Sequence, residues 1–89
     1  MMAVIQKLVK NFTEADIDDE IILMRLDNGE LLSLTDSAAA VWRLIDGNRD
    51  RAALAAALTE QFAAEEQQIA KDIAELLSQL KNACLVAEG

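Results

Sequence analysis

The sequence predicts one α+β domain in which a short antiparallel sheet precedes three helices. Three observations carry that reading. Asn28-Gly29 stands between two apolar runs, Glu20 to Leu26 (EIILMRL) and Glu30 to Thr35 (ELLSLT), and these two residues tolerate the positive φ of a tight hairpin turn. Downstream, apolar residues recur at three- and four-residue spacing in three successive stretches. Eighty-nine residues, 53% of them apolar, suffice for a single modest core and leave no room for a second.

Taken in order, residues 1–13 read as an N-terminal arm and residues 14–89 as the folded domain. In the arm, Val4, Ile5, Leu8, Val9 and Phe12 recur at helical spacing, yet Val and Ile also favour strands. Two readings stay open for it, a core edge or frayed terminus on the one hand and a segment that docks on a neighbouring subunit on the other. Ala15 and Ile17 alternate with acidic residues, as in a half-exposed edge strand whose charges discourage stray pairing. Glu20 to Leu26 is the best strand, and Glu30 to Thr35 is its partner.

A two-residue turn sets the expected register. Pairing Asp27 with Glu30 places Leu26 opposite Leu31, Met24 opposite Ser33 and Leu23 opposite Leu34. Alternation then puts Ile21, Leu23, Leu32 and Leu34 on one face and Ile22, Met24, Leu26 and Leu31 on the other. Helices on one side need only one apolar face. The second is expected to be covered by N-terminal residues or to meet a partner or a second copy.

Thr35 or Asp36 is the expected N-cap of the first helix, which runs from about Asp36 to Asp46 with Ala38, Val41, Trp42 and Ile45 inward and Gly47 as a left-handed terminator. Trp42 is expected in the core. Asp50 caps a second helix with an inward stripe of Leu54, Ala57, Leu58 and Phe62. The third, about Glu65 to Asn82, has the cleanest period: Ile69, Ile73, Leu76, Leu77 and Leu80. Leu85 and Val86 close the core, with Cys84 beside them as a small buried hydrophobe.

A hairpin sheet followed by three helices is the order of a winged helix, so the expected fold is winged-helix-like: a three-stranded antiparallel sheet followed by a three-helix bundle. Charge argues against the DNA-binding use of that architecture. Sixteen acidic residues against eight basic ones give a net charge of −8, and the third helix carries Glu65, Glu66, Asp72 and Glu75 against Lys71 and Lys81. Such a helix would be repelled by every phosphate it approached. A transcription regulator of this fold is therefore the weaker alternative, and no nucleic-acid partner is expected.

Catalytic chemistry is not expected either. The chain has no His, one Cys and no Gly-rich phosphate loop. Asp16, Asp18, Asp19 and Glu20 lack the spaced oxygens and turn glycine of a calcium loop. No metal or cofactor is expected, and the protein is read as non-enzymatic. The N-terminal residues lack a secretory pattern, no run reaches the roughly 20 apolar residues of a membrane span, and a single cysteine fits a reducing compartment, so a cytoplasmic location without a membrane partner is the expectation. Asp36-Ser37 at a helix start invites another alternative, an acyl-carrier-type protein modified on Ser37. Against it, Ala38 follows the serine and a hairpin precedes it.

Residues 29–58 (GELLSLTDSAAAVWRLIDGNRDRAALAAAL) and 69–86 (IAKDIAELLSQLKNACLV) together resemble the PqqD-like family of precursor-peptide recognition elements. The resemblance rests on Leu34 and the polar step into the helix, Ala39-Ala40-x-Trp42, Asp46-Gly47, the second helix capped at Asp50, and Asp72-Ile73 with Leu76, Leu77 and Leu80. It covers about Ile17 to Val86. This sequence departs from the family's frequent Asn at the Asp36 position, Gly near Ala83 or Cys84, and aromatic residue around Leu31 or Leu32.

What the resemblance implies is a non-catalytic adaptor that takes the leader segment of a precursor peptide as an extra strand and presents it to a modifying enzyme of the same pathway, a radical SAM enzyme, protease or cyclase. Strand addition has independent physical support, because it satisfies the free main-chain groups of an exposed edge. The expected peptide-binding residues are Glu30, Leu31, Leu32, Ser33, Leu34 and Thr35 at the edge and Asp72, Leu76 and Gln79 on the third helix. Asp72 is the expected polar or cationic contact. A homodimer through the surplus apolar surface is a further expectation.

Overall fold

The structure, a computed structural model, describes residues 3–62 and 65–89. Eight elements follow in order: β1 (Ile5–Lys7), β2 (Phe12–Ile17), β3 (Glu20–Arg25), β4 (Leu31–Leu34), α1 (Asp36–Leu44), α2 (Arg51–Gln61), α3 (Glu66–Asn82) and β5 (Val86–Glu88). The α+β class, with a three-stranded antiparallel sheet and three helices, is as the sequence predicts.

The sheet has the order β2-β3-β4, so β2 and β4 are its edges. Its hairpin register differs from expectation by two residues: Leu23 faces Leu32, Ile22 faces Ser33 and Ile21 faces Leu34. Leu26 to Gly29 form a four-residue turn closed at Arg25 and Glu30, where the Arg25 amide donates to the Glu30 carbonyl at 2.9 Å. Two side-chain interactions hold the longer turn. Arg25 grips Asp27 through two hydrogen bonds of 2.7 and 3.1 Å, and the Glu30 amide donates to Asn28 Oδ1 at 2.9 Å. The Arg25 bond holds the Asp27 carboxyl below its ordinary pKa. A shift of two leaves every side chain on its expected face.

Ile21, Leu23 and Leu34 are accordingly buried, with Phe12 from β2 beside them. Strand β2 begins at Phe12 rather than Ala15, so the boundary drawn at residue 13 falls inside it. Trp42 is fully buried, meets Phe12 edge-on at a ring separation of 5.3 Å, and has Lys7 Nζ 4.4 Å from its ring centroid. Burial lowers the Lys7 pKa, a displacement partly offset by Glu14 and Asp46. Among the described residues the buried indole N–H meets no hydrogen-bond acceptor.

Helix α1 ends at Leu44, two residues before the expected end, with Gly47 at φ 83° in the turn beyond. Thr35 stands at its N-cap without a side-chain cap bond; its carbonyl instead accepts from Ala38 and Ala39. Asp36 takes φ 52° there, a left-handed conformation that Asp and Asn tolerate better than most residues. Asp50 caps α2 as expected, its Oδ1 accepting from the Ala53 amide at 2.9 Å. The α2 stripe is Leu54, Ala55 and Leu58; Ala57 is only half-buried. Phe62, expected inside, is 38% exposed at the C-cap, where extended backbone takes it off the helical period. All five expected residues of α3 are buried, and so are Leu85 and Val86.

Cys84 is exposed, contrary to expectation. The cause is the way α3 ends. Leu85 N–H bonds to the Leu80 carbonyl and Cys84 N–H to the Lys81 carbonyl, the paired bonds of a Schellman motif, and Cys84 occupies its left-handed position at φ 62°. That conformation turns the thiol outward and directs Leu85 onto Leu80.

The sequence did not announce a second sheet. Strand β1 pairs antiparallel with β5, Ile5 facing Glu88, and Ile5 is fully buried in the core of its own chain. The Ile5 amide also donates to the Arg49 carbonyl. Of the two readings left open for the arm, the structure therefore places Ile5 with the core. Glu88 is gripped by Arg51 Nε at 2.6 Å and Nη2 at 2.9 Å and reached by Lys81 at 3.2 Å. These hydrogen bonds, that from Arg51 foremost, hold its carboxyl at a pKa of about 2.

Candidate functional site

Antiparallel pairs alternate between residues that exchange hydrogen bonds with the neighbouring strand and residues that do not. The bond from the Arg25 amide to Glu30 fixes the phase. Leu32 and Leu34 must then bond to β3, while the N–H and C=O groups of Leu31 and Ser33 point away from it, along the free edge. Sequence reasoning treated Glu30 to Thr35 as one edge; the structure divides it. Glu30 closes the hairpin, Leu32 and Leu34 serve the ladder and the core, and Thr35 gives its carbonyl to α1.

Alongside β4 runs a groove walled by α3. Near the hairpin it opens as a cavity of about 330 Å³ bordered by Arg25, Glu30, Leu32, Gln79, Asn82 and Ala83. Toward the start of α1 it continues as one of about 220 Å³, lined by Ser37, Ala38, Val41, Leu58, Asp72, Glu75, Leu76 and Gln79. Gln79 borders both. The three expected helix residues, Asp72, Leu76 and Gln79, thus meet in one cavity, with Leu76 as buried floor and the other two exposed on the wall. Asp72 accepts a hydrogen bond from Gln68 at 3.0 Å.

Residues that sequence reasoning passed over complete the groove. Val41 and Leu58 were assigned to the core, which they are, but each also shows one side to the cavity. Glu75 follows Asp72 by three residues and precedes Gln79 by four, so helical spacing alone could have placed it on the same wall. Ser37 is half-buried at the start of α1.

The opposite face of the sheet is bare. Ile17, Met24 and Leu31 are exposed there, Leu31 by 64%, and Ile22 is half-buried between them. Ser33 also lies on that face, its hydroxyl bonded to Glu20. The N-terminal strand does not cover it, because β1 is paired with β5 instead.

The fold and the site together define a small α+β domain with an open strand edge beside an apolar-floored groove. More narrowly, the chain belongs to the PqqD family, coenzyme PQQ synthesis protein D, whose family model matches residues 20–86. No curated protein matches the chain. A solved structure of TbiB1 in complex with the TbiA(beta) leader peptide is similar, with a TM-score of 0.79 at 21% identity over 97% of this chain and 94% of that one. At that identity the likeness is one of fold. Among the described residues no helix is long and apolar enough to cross a membrane.

Proposed function

We propose that the protein is a non-catalytic adaptor that binds the leader segment of a ribosomally made precursor peptide as a fourth strand on β4 and presents it to a modifying enzyme of the same pathway. One observation carries this: the outward main-chain groups of Leu31 and Ser33 stand beside a groove with an apolar floor. An added strand would satisfy those groups and place alternate side chains in the groove. Leu32, Asp72, Leu76 and Gln79 would contact them, Asp72 by charge or hydrogen bond. Family membership and the likeness to a protein solved with a leader peptide support this over a carrier modified on Ser37 or a DNA-binding regulator.

Ser33→Pro tests it. The substitution removes an N–H that the β3 ladder does not use, and proline is tolerated on edge strands where that group faces outward. The lost hydrogen bond and the ring's bulk together should weaken binding of the cognate leader at least about 10-fold in a calorimetric titration, with the circular dichroism spectrum unchanged. Undiminished affinity in a folded variant would end the strand-addition reading.

The bare sheet face supports a second, weaker association. That association is a homodimer, face to face through the exposed Ile17, Met24 and Leu31.

A further inference from the structure

The two ends of the groove differ in charge. At the hairpin end Arg25 and Glu30 offset one another, and Arg25 is already held by Asp27. At the α1 end the lining holds two carboxylates, Asp72 and Glu75, and no basic residue. Neither is in an ion pair among the described residues; Arg43, Arg49, Arg51 and Lys81 are engaged with Asp16, Asp46 and Glu88 elsewhere. Below the carboxylates the floor is apolar, built from Val41, Leu58 and Leu76.

An apolar floor under an anionic rim suits a long aliphatic side chain that ends in a cation, since such chains lay their methylenes on apolar surface and keep the charge at its edge. We propose that this end of the groove selects leader peptides carrying Lys or Arg at one position. The stem would lie on Val41, Leu58 and Leu76, with the charged head between Asp72 and Glu75. The inference rests on strand addition at β4 and names the side chain that the site prefers.

Spacing follows from the same geometry. Asp72 and Asn82 are ten residues apart on α3, about 15 Å along its axis, which an extended strand spans in four or five residues. Only alternate residues face the groove. The basic residue should therefore stand four positions from an apolar residue seated near Leu32 and Ala83.

The test is selection of a phage-displayed library of random 12-residue peptides on the intact protein, with each enriched peptide then synthesised and titrated. The expected result is enrichment of Lys or Arg four positions from an apolar residue. The Asp72→Asn, Glu75→Gln double variant should bind such a peptide about 10-fold more weakly and lose the preference on reselection. Two results would overturn the proposal separably. Peptides that need an unsubstituted Ser33 but show no basic preference, or bind the double variant equally well, would remove the cation subsite and leave strand addition standing. Peptides indifferent to Ser33→Pro would remove strand addition, and the subsite with it.

Discussion

Cys84→Gly should stabilise this protein, and the size of the effect can be worked from the end of α3. Cys84 holds φ 62° at the left-handed position of the Schellman motif. A side chain with a Cβ strains that conformation by about 1–2 kcal/mol, and glycine removes the strain. Glycine's greater freedom in the unfolded chain takes back roughly 0.5–1 kcal/mol. Packing adds little to the balance, because the thiol is exposed. The Asn11 side chain bonds to the Cys84 carbonyl at 2.9 Å, an acceptor that glycine retains. The net gain is about 0.5–1 kcal/mol, or about 3–6 °C in Tm for a domain of this size. Urea unfolding followed by Trp42 fluorescence under reducing conditions measures it. Cys84→Ala, which keeps the Cβ, is the control and should stay within about 0.5 kcal/mol of the parent. If glycine left the midpoint unmoved or lowered it, the left-handed strain argument would be wrong.

Two further outcomes follow from other parts of the structure. The Glu88 carboxyl is held at about 2, below its unfolded value of 4.5, so its contribution is fully present above pH 4.5 and is lost as the pH falls through about 2. Glu88→Gln should therefore lower stability by about 1–2 kcal/mol at pH 7, allowing for solvent screening, and the gap from the parent should close between pH 4.5 and 2 in acid unfolding curves. A gap that stayed constant to pH 2 would mean the ion pair does not account for it. On the bare face of the sheet, Leu31→Lys should shift sedimentation at hundreds of micromolar protein toward monomer in moderate salt; an unaltered profile would take that face out of the association.

Much of this architecture was legible because helical period is a strong local signal. Ile69, Ile73, Leu76, Leu77 and Leu80 repeat over about three turns, and all are buried. The hairpin was legible in its faces but not its register. Asn28-Gly29 marks a turn without fixing its length, and the Arg25 to Asp27 pair that holds the longer one is a contact between side chains. Strands β1 and β5 left almost no signal. Each has three residues, too few to show a period, and their partners lie at opposite ends of the chain. Cys84 misled because its neighbours are apolar while its direction is set by a backbone angle that sequence pattern does not report.

The groove was half legible for a related reason. Asp72, Leu76 and Gln79 share a helical face and were found together. Val41 and Leu58 were not, because a residue that belongs to the core and also borders a cavity has the same pattern as one that belongs to the core alone. The division of β4 into ladder residues and outward residues depends on the phase of its pairing. A shift of one residue would exchange the roles of Leu32 and Ser33.

The pairing of β1 with β5 has a practical consequence for engineering. Ile5 stands beside Glu88, and the Gly89 amide bonds to the Val4 carbonyl, so the chain enters and leaves the fold along adjacent strands about 5 Å apart. A short linker can join those ends, and a new opening can be cut at the exposed Asp27-Asn28 turn without interrupting a strand. By the same token the unit is a cassette. Spliced into a surface loop of a host protein, it would need no long connector at either junction, and the β1-β5 ribbon would become the stalk on which it stands.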